Sequence, residues 1–308
     1  MSMPAKGAAG ARSAAARAAR RARPRGVRAE PGIGSGGVPA DHRRRLMRRL
    51  FVVGCPRSGT TLLQSFLAAH PDVHSFPETH FFYRLPGTGD SVAGPELTAD
   101  LPGVAGFLGR PELGWPQPPT ARALGAAFVA TADEVTRDHG RGTWLEKTPA
   151  DLYAIDRIEE LVPGAGFLHI VRDGADVVAS LCAVAGGWGS TYTVDQAVDL
   201  WAECVAITAA HRGRPGHTVV GYAELAQHPE RALAAACAEV GLPYTPEMVA
   251  GRARAAQALI KDFESWKGDN TGPLVYRPRA RFEQVFDAAT RRHVEERVAA
   301  VAVPVPVV

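Results

Sequence analysis

Short apolar runs alternate along the chain with longer segments of helical periodicity. The run at 50–55 has no alternation of apolar and polar positions and ends in a Gly/Pro turn, which is typical of a strand buried on both faces of a parallel sheet. Alternating strands and helices predict an α/β fold, a three-layer sandwich with a central parallel sheet flanked by helices. The further strand candidates are 143–146, 166–171 and 217–221, and the helix candidates are 61–69, 121–139, 151–162, a helix capped by Asp173, 194–211 and 229–240.

Two regions lack such a pattern. Residues 85–119 are rich in Pro and Gly, which predicts a long excursion or lid without regular structure. Residues 1–40 consist mainly of Ala, Arg, Gly and Pro and offer no apolar face to offset the entropy of ordering. We therefore expect a disordered tail over 1–46 and a single folded domain over 47–308. The tail is interpreted as a solvated segment, as a basic arm for nucleic acid or an anionic membrane, or as a transit peptide.

The net charge of +3 combines two unlike regions. Residues 1–49 carry twelve Arg and one Lys against two acidic residues, a formal charge of +11, whereas the remainder carries 22 basic and 30 acidic residues, a formal charge of −8. An acidic body disfavours a protein built to bind nucleic acid. No apolar stretch reaches the roughly 18 residues of a membrane span, so we expect a soluble, cytoplasmic protein.

The cysteines and histidines do not indicate a metal site. The four Cys include no CxxC pair and no His at zinc-ligand spacing, which predicts reduced, mostly buried thiols. His211 and His217 likewise lack a ligand pattern and are expected at the surface.

A Gly-rich loop, Gly54–Thr61, lies between the first strand and the first helix. Its small residues allow the backbone to approach a phosphate, and the N–H groups at the start of the helix point toward it. The hydroxyls of Ser58, Thr60 and Thr61 add donors, and Arg57 adds a positive charge. A nucleotide triphosphatase loop, GxxxxGK[ST], would have Lys where this chain has Thr60. Since the strand at 166–171 is followed by a cation instead of an acidic metal ligand, the sequence predicts a phosphate site without metal.

This loop and two later motifs resemble those of sulfotransferases that use 3′-phosphoadenosine 5′-phosphosulfate (PAPS), particularly the Golgi-type and bacterial branch that includes the tyrosylprotein sulfotransferases. Segment 56–61 is similar to the family's loop for the 5′-phosphosulfate end. Segment 170–174, followed by Ser180, is similar to the motif whose Arg and Ser hold the 3′-phosphate. Segment 221–229 resembles a block whose Tyr lies beside the nucleotide.

The resemblance implies a P-loop NTPase-like sulfotransferase fold. It also implies transfer of a sulfuryl group from PAPS, without metal, to a hydroxyl or amine of a small-molecule, carbohydrate or lipid acceptor. Lys267 is similar to a late Lys of the cytosolic branch, with Arg277, Arg279 and Arg281 as competitors for that role. The implied nucleotide-binding residues are Arg57, Ser58, Gly59, Thr60, Thr61, Arg172, Ser180, Tyr222 and Lys267.

The same resemblance implies the catalytic groups. In the tyrosylprotein branch a Glu immediately before a Thr is the base, and Glu78 matches it at the same distance from the loop. Lys147 lies in a Glu-Lys-Thr-Pro segment where relatives keep a Lys next to the reacting sulfate. Glu78 is therefore the implied base, with His80 and His74 as rivals, and Arg57 and Lys147 neutralise the sulfonate and the bridging oxygen.

Each assignment has a plainer alternative. In these alternatives, Arg172 would form only a surface ion pair with Asp173 or Asp176, and Glu78 would cap a helix or pair with a cation. Lys147 would be an exposed lysine at a strand end. At the level of the whole protein, the alternatives are a P-loop kinase or nucleotide triphosphatase, a nucleic-acid-binding protein acting through the tail, and a family member that has lost activity.

Overall fold

The computed structural model describes residues 46–87, 90–183, 192–259, 271–272 and 274–304. Its sheet has five strands in the order β2-β3-β1-β4-β5, and every neighbouring pair is parallel. The carboxyl ends of all five strands therefore lie at one edge of the sheet. The strands are β1 (Arg48–Gly54), β2 (Val73–Ser75), β3 (Thr143–Glu146), β4 (Ala165–Val171) and β5 (His217–Gly221).

Helices connect the strands and cover both faces of the sheet. Two short 3₁₀ segments, Phe82–Arg84 and Pro149–Ala154, lie in the connections before and after β3. The α-helices are α1 (Thr60–Ala68), α2 (Pro95–Phe107), α3 (Ala121–Asp138), α4 (Ile155–Leu161), α5 (Gly174–Ala183), α6 (Val194–His211), α7 (Tyr222–Gln227), α8 (Pro229–Glu239), α9 (Glu247–Ala250), α10 (Arg252–Leu259), α11 (Ala280–Val285) and α12 (Ala288–Ala299).

Successive side chains of β1 enter two separate apolar cores. Phe51 and Val53 pack into the core beneath α3 to α6, whereas Leu50 and Val52 pack into the core beneath α1 and α8. Both faces are buried because period-2 alternation sends neighbouring side chains to opposite faces and each face is covered by helices. This arrangement confirms the predicted three-layer α/β sandwich with a central parallel sheet.

The predicted lid over 85–119 is wrong in part, because α2 lies within it. Leu97, Leu101 and Val104 are buried along one side of α2, at helical spacing. Pro95 occupies the first turn, where its missing N–H costs nothing, whereas Pro102 lies inside the helix and obscures the pattern in the sequence. The apolar positions at helical spacing thus stabilise a helix here despite the two prolines.

Two other local predictions need correction. The chain at 151–162 forms the second 3₁₀ segment followed by α4, not a single helix. His211 and His217 are buried, not exposed: His217 bonds His169 at 3.0 Å and Glu159 at 2.9 Å. His169 itself is fully buried, and burial lowers its pKa to about 3.

The described residues bear on three further expectations, which concern the cysteines, membrane spans and the division into tail and domain. The four cysteines are free, and three of them are buried. Across the described ranges, no helix combines the length and the apolar character that a membrane crossing requires. The division into a tail over 1–46 and a domain over 47–308 stays a prediction, because residues 1–45 lie outside the described part.

Candidate active site

The sequence-predicted site residues follow the carboxyl ends of different strands. Arg57 follows β1, Glu78 follows β2, Lys147 follows β3, Arg172 follows β4 and Tyr222 follows β5. Ligands of open parallel sheets bind at this edge, because the loops that leave the strands meet there. The topology therefore assembles one site from five connections that are distant in sequence.

The loop after β1 is held in an unusual backbone conformation. Gly54, Arg57 and Gly59 have φ values of 155°, 71° and 100°, and Ser58 N–H donates to the Cys55 carbonyl at 3.1 Å. A Cβ at position 54 would lie 2.7 Å from the Ile170 carbonyl oxygen. Arg57 adopts a left-handed conformation that disfavours residues with a Cβ, and such strain persists where the surroundings impose it.

Gly59 also allows a close approach across the site. A Cβ at this position would overlap the Tyr222 ring, so the loop and the start of α7 are in direct contact. Because Gly59 is the residue before α1, the first N–H groups of that helix point out of the loop. The local structure is thus suited to an anionic group held by backbone donors.

Two arginines donate to Ser180 beside this loop, and a third lies against the backbone of the loop. Arg57 Nε donates to Ser180 Oγ at 3.1 Å, and Arg281 Nη1 donates to the same oxygen at 3.4 Å. Arg172 Nη1 lies 3.5 Å from the Arg57 carbonyl oxygen, and its guanidinium stacks 4.3 Å from the Tyr222 ring centroid. We call Arg57, Arg172, Ser180, Tyr222 and Arg281 the cationic cluster. Its side chains combine positive charge with hydrogen-bond donors.

Arg172 combines an ion pair with an unused donor. Its Nη2 lies 3.4 Å from Asp176 Oδ2, so the ion pair weighed from the sequence is present. Its Nε is buried and has no hydrogen-bond partner within the described residues. A buried donor without a partner is costly, which makes it a site where a ligand acceptor would bind favourably.

A cavity of about 300 Å³ opens beside the cationic cluster, between the ends of β4 and β5. Its walls include Arg172, Trp201, Tyr222 and Val298, and they are mainly apolar. Trp201 is fixed there because its Nε1–H donates to the Arg172 carbonyl at 3.2 Å. An apolar cavity of this size next to convergent cations is suited to a flat organic group that carries an anion.

Glu78 and Lys147 form an ion pair at the other end of the loop. Lys147 Nζ bonds to Glu78 Oε1 and donates to Thr61 Oγ1 at 3.4 Å. Lys147 is only 1% exposed, so the alternative of an exposed strand-end lysine is wrong. Glu78 retains 17% side-chain exposure, and its second oxygen lies 3.5 Å from His80 Nε2. The ammonium thus lies between the loop and a carboxylate that is partly open to solvent.

Two buried carboxyl groups lie behind this ion pair. Glu146 Oε1 accepts hydrogen bonds from Thr79 N at 3.2 Å, Thr79 Oγ1 at 2.9 Å and Thr148 Oγ1 at 2.7 Å. Asp151 Oδ1 accepts from Tyr83 N at 3.0 Å. Burial and the adjacent Glu146 raise the pKa of Asp151 well above its usual range. We call Glu78, Glu146, Lys147 and Asp151 the carboxylate cluster.

The rival base candidates occupy different surroundings. His80 contacts Glu78, as described above, and has a left-handed backbone with φ of 52°. His74 packs instead against Phe76 and His139, at ring-centroid distances of 4.7 and 4.3 Å. Burial lowers the pKa of His74 to about 4. The structure therefore brings Glu78 and His80 to the loop and gives His74 apolar and aromatic neighbours.

Comparison with known proteins identifies the family. A family model described as the sulfotransferase family matches residues 49–246. The chain belongs to the sulfotransferase family. The match includes every strand of the sheet and both clusters except Arg281.

Individual relatives agree with this assignment. Nodulation protein NoeE of Sinorhizobium fredii is 28% identical over 221 residues, which cover 64% of this chain and 50% of the relative. Protein-tyrosine sulfotransferase 2 of Gallus gallus is 29% identical over 214 residues, which cover 65% of this chain and 52% of the relative. The chain thus spans about half the length of these curated relatives.

A solved structure shows the same fold. The sulfotransferase domain from the curacin biosynthetic pathway has a TM-score of 0.52 and 16% sequence identity, covering 84% of this chain and 100% of that domain. The parallel sheet and its flanking helices are therefore those of a sulfotransferase fold, as the sequence motifs implied.

The sulfotransferase motifs locate all but one of the implied site residues at this edge. Lys267 lies outside the described residues. Among its competitors, Arg281 reaches Ser180, whereas the Arg279 side chain pairs with Glu295 at 2.5 Å. The short segment around Arg281 has no strong pattern. The sequence therefore indicated Arg281 only as one of three competitors of Lys267.

Glu146 and Asp151 are functional candidates that the sequence motifs did not single out. The signal was present, because Glu146 directly precedes Lys147 and Asp151 follows it by four positions. Acidic residues near a strand end are common at protein surfaces, and only the structure shows that both are 0% exposed. Within the described ranges, no group of three or more His, Cys, Asp and Glu residues is arranged to hold a metal ion.

Proposed function

We propose that this protein is a sulfotransferase that moves a sulfuryl group from PAPS to a hydroxyl or amine acceptor. The observation that carries the proposal is the position of Lys147, whose ammonium contacts both Thr61 of the phosphate-type loop and the carboxylate of Glu78. A cation between an anion-binding loop and a carboxylate base is the arrangement that in-line sulfuryl transfer requires. Membership of the sulfotransferase family supports the same conclusion.

The donor nucleotide is proposed to lie along the carboxyl edge of the sheet. The loop residues Ser58, Gly59, Thr60 and Thr61 would hold the 5′-phosphosulfate through backbone N–H groups and hydroxyls. The cationic cluster would hold the 3′-phosphate, because guanidinium groups and the Ser180 hydroxyl converge there and Arg172 Nε has an unused donor. The cavity beside Tyr222 would accommodate part of the adenosine. Lys267 is retained in this proposal as a late cation for the 3′-phosphate.

In the proposed reaction, the acceptor oxygen or nitrogen attacks sulfur while the bond from sulfur to the bridging oxygen of the 5′-phosphate breaks. The acceptor proton passes to Glu78, and the products are the sulfated acceptor and 3′-phosphoadenosine 5′-phosphate. Lys147 and Arg57 would stabilise the negative charge on the sulfonate and the departing oxygen. No redox change and no further reactant are needed, so atoms and charge balance.

The ion pair between Glu78 and Lys147 explains how one site supports both roles. The contact with Lys147 holds the Glu78 carboxylate beside the loop, where the acceptor would attack sulfur. A bound sulfonate competes with Glu78 for the ammonium, which releases the carboxylate toward the acceptor. Since only an acceptor with a removable proton makes use of such a base, we propose a hydroxyl or amine on a small molecule, carbohydrate or lipid. We further propose that the protein works in the cytoplasm.

Calorimetric titration of 3′-phosphoadenosine 5′-phosphate into the full chain, with EDTA present, tests the donor site. We expect binding of the bisphosphate without metal and no binding of ATP under the same conditions. A parallel assay follows formation of the bisphosphate from PAPS with a phenol, a sugar, a lipid alcohol and a tyrosyl peptide as acceptors. Acceptor-dependent product in one of these reactions would establish the activity and its substrate class.

Two results would overturn the proposal. Binding of ATP alone, and only with magnesium, would indicate a kinase or nucleotide triphosphatase instead. Binding of the bisphosphate with no acceptor-dependent turnover across the panel would indicate a nucleotide-binding protein without transferase activity.

A further inference from the structure

The two carboxyl groups behind Lys147 contact the backbone that carries Glu78. Glu146 Oε1 accepts from the N–H and the hydroxyl of Thr79, the residue directly after Glu78. The Thr148 hydroxyl donates to the same oxygen and accepts from His80 N–H at 3.2 Å. Asp151 accepts from Tyr83 N–H at 3.0 Å. Three backbone N–H groups of the segment 79–83 are therefore held by the segment 146–151.

This segment needs such support because its conformation is not the relaxed one. His80 has φ of 52°, in the left-handed region that residues with a Cβ rarely adopt. A conformation of this kind costs roughly 1–3 kcal/mol and persists only where neighbouring contacts impose it. Here those contacts come from Glu146, Thr148 and Asp151, which follow Lys147 or directly precede it. The same short segment thus bears the ammonium and fixes the carboxylate opposite it.

The two carboxyl groups are fully buried behind the ion pair of Glu78 and Lys147. Glu146 and Asp151 are each 0% exposed. Their second oxygens, Glu146 Oε2 and Asp151 Oδ2, have no hydrogen-bond partner in the described part of the chain. Burial and the neighbouring Glu146 raise the pKa of Asp151 well above its usual range. The segment 79–83 is therefore held through Glu146 Oε1, the Thr148 hydroxyl and Asp151 Oδ1.

We propose that Glu146 is a positioning residue that sets the separation between Glu78 and Lys147. This role rests on the proposed transferase function but concerns a residue that does not touch the substrate. Glu146 acts through Thr79 and Thr148 on the backbone next to the base. Asp151 supports the same segment through Tyr83 N–H.

The test compares two variants that differ only at position 146. Asp151→Asn keeps a side chain of the same shape and leaves Glu146 in place. Adding Glu146→Gln replaces the carboxylate oxygens that hold Thr79 and Thr148 with an amide of nearly the same shape. We expect kcat of the double variant to fall about tenfold below that of Asp151→Asn, because the base is held less firmly. The Kd for 3′-phosphoadenosine 5′-phosphate should be the same for both variants, because the pair lies outside the cationic cluster.

The split between KM and kcat separates positioning from a general loss of structure. Lys147 and His80 contact Glu78 directly, whereas Glu146 contacts the backbone beside it. The loss in the double variant should therefore appear in kcat, while KM for PAPS stays within about twofold of its value in Asp151→Asn.

A matched control uses a buried carboxylate outside the site. Asp133 accepts from Trp144 Nε1 at 2.8 Å and pairs with Arg49 at 2.8 Å. Asp133→Asn should lower the melting temperature while kcat and KM stay as in the wild type. If the double variant does not fold, Thr79→Val tests the positioning role instead, since it removes one hydroxyl donor to Glu146. We then expect kcat to fall about threefold with an unchanged Kd for the bisphosphate.

The outcomes distinguish the two proposals. Equal kcat in the single and double variants would overturn the positioning role while the transferase activity of the wild type stands. A parallel loss of kcat and bisphosphate affinity would also overturn it, because the effect would then be general. Absence of both binding and turnover in the wild type would overturn the proposed function and, with it, this role.

Discussion

The cationic cluster and the carboxylate cluster lie at opposite ends of one loop and are built on different principles. In the cationic cluster, guanidinium groups converge on Ser180, and Arg172 keeps a buried donor without a partner among the described residues. In the carboxylate cluster, the Lys147 ammonium is already bonded to Glu78, and both carboxyl groups behind it are hydrogen-bonded.

The difference indicates what each cluster is for. A group of cations with an unused donor is favourable only when an anion arrives, so the cationic cluster is suited to ligand binding. In the carboxylate cluster the ammonium and one oxygen of each buried carboxyl are bonded to neighbouring groups, and these bonds fix the segment that carries Glu78. That cluster is therefore suited to chemistry that depends on position. Substitutions in the two clusters should therefore have separable effects on affinity and on turnover.

The largest expected effect is that of Glu78→Gln. The amide has nearly the same shape but cannot accept the acceptor proton, so kcat should fall by about 10³-fold or more. The Kd for 3′-phosphoadenosine 5′-phosphate should change by less than about twofold, because Glu78 is not part of the cationic cluster. Steady-state turnover and calorimetry on the same preparation measure the two quantities.

Glu134→Gln is the matched control for that change, because the Glu134 side chain is 66% exposed on α3. It should leave both kcat and Kd unaltered. Near-normal turnover of Glu78→Gln would move the role of base to His80, whose Nε2 lies 3.5 Å from Glu78.

The next effect is that of Arg172→Ala, which should weaken binding of the bisphosphate by about 100-fold. Charge-assisted hydrogen bonds to phosphate are worth roughly 1.5–3 kcal/mol, and the stacking contact with Tyr222 is lost as well. Once PAPS is saturating, kcat should recover to within a few-fold of the wild type. Arg122→Ala removes an equal charge from a side chain that is 63% exposed and should leave Kd unchanged. A Kd that stays the same in Arg172→Ala would contradict the assignment of the 3′-phosphate site.

A third prediction concerns the acid stability of the fold, which limits the pH range in which the clusters can be compared. Burial lowers the pKa of His169 to about 3, whereas in the unfolded chain it has its usual value near 6.5. As the pH falls below 6.5, the unfolded chain therefore takes up more protons than the folded one, and stability decreases. His169 alone should lower the free energy of unfolding by about 2 kcal/mol between pH 7 and pH 5.

Urea denaturation at both pH values checks this stability effect. The decrease between pH 7 and pH 5 should be smaller in His169→Gln by about that amount. It should persist in His293→Gln, because the His293 side chain is half exposed. An identical pH dependence in His169→Gln and the wild type would show that the buried imidazole is not responsible.

The smallest effect is expected for Ser180→Ala. This change removes one hydroxyl from the cationic cluster and should weaken bisphosphate binding by about five- to tenfold, with kcat little affected. The loss should be smaller than for Arg172→Ala, because a neutral donor contributes less than a charged one. A larger loss than that of Arg172→Ala would mean that Ser180 mainly orients Arg57 and Arg281, the two arginines that donate to its oxygen.

The sequence alone predicted the parts of this molecule that depend on local pattern. Short apolar runs between segments of helical periodicity predicted four of the five strands, and the loop motif predicted an anion site. Arg57, Arg172 and Ser180 come together as their motifs implied, because each follows the end of a strand or lies in the helix after it. The short edge strand β2 was not predicted, since three residues carry too little pattern.

What could not be predicted depends on long-range contacts. The burial of Lys147, Glu146 and Asp151 arises because the segment after β2 folds against the end of β3. Charged residues are usually exposed, so their type argues against such burial. The hydrogen bond from Arg281 to Ser180 joins residues 101 positions apart, and no local spacing in the sequence predicts that contact.

The contact between Gly59 and the Tyr222 ring has an evolutionary consequence. Since any Cβ at position 59 would overlap that ring, the two positions cannot vary independently. A lineage that acquires a side chain at 59 must first replace the tyrosine at 222 with a smaller residue, at the cost of the ring that stacks on Arg172. Alignments of related chains should therefore show glycine at 59 wherever an aromatic residue stands at 222, and laboratory evolution of this enzyme should reach changes at 59 only along that order of steps.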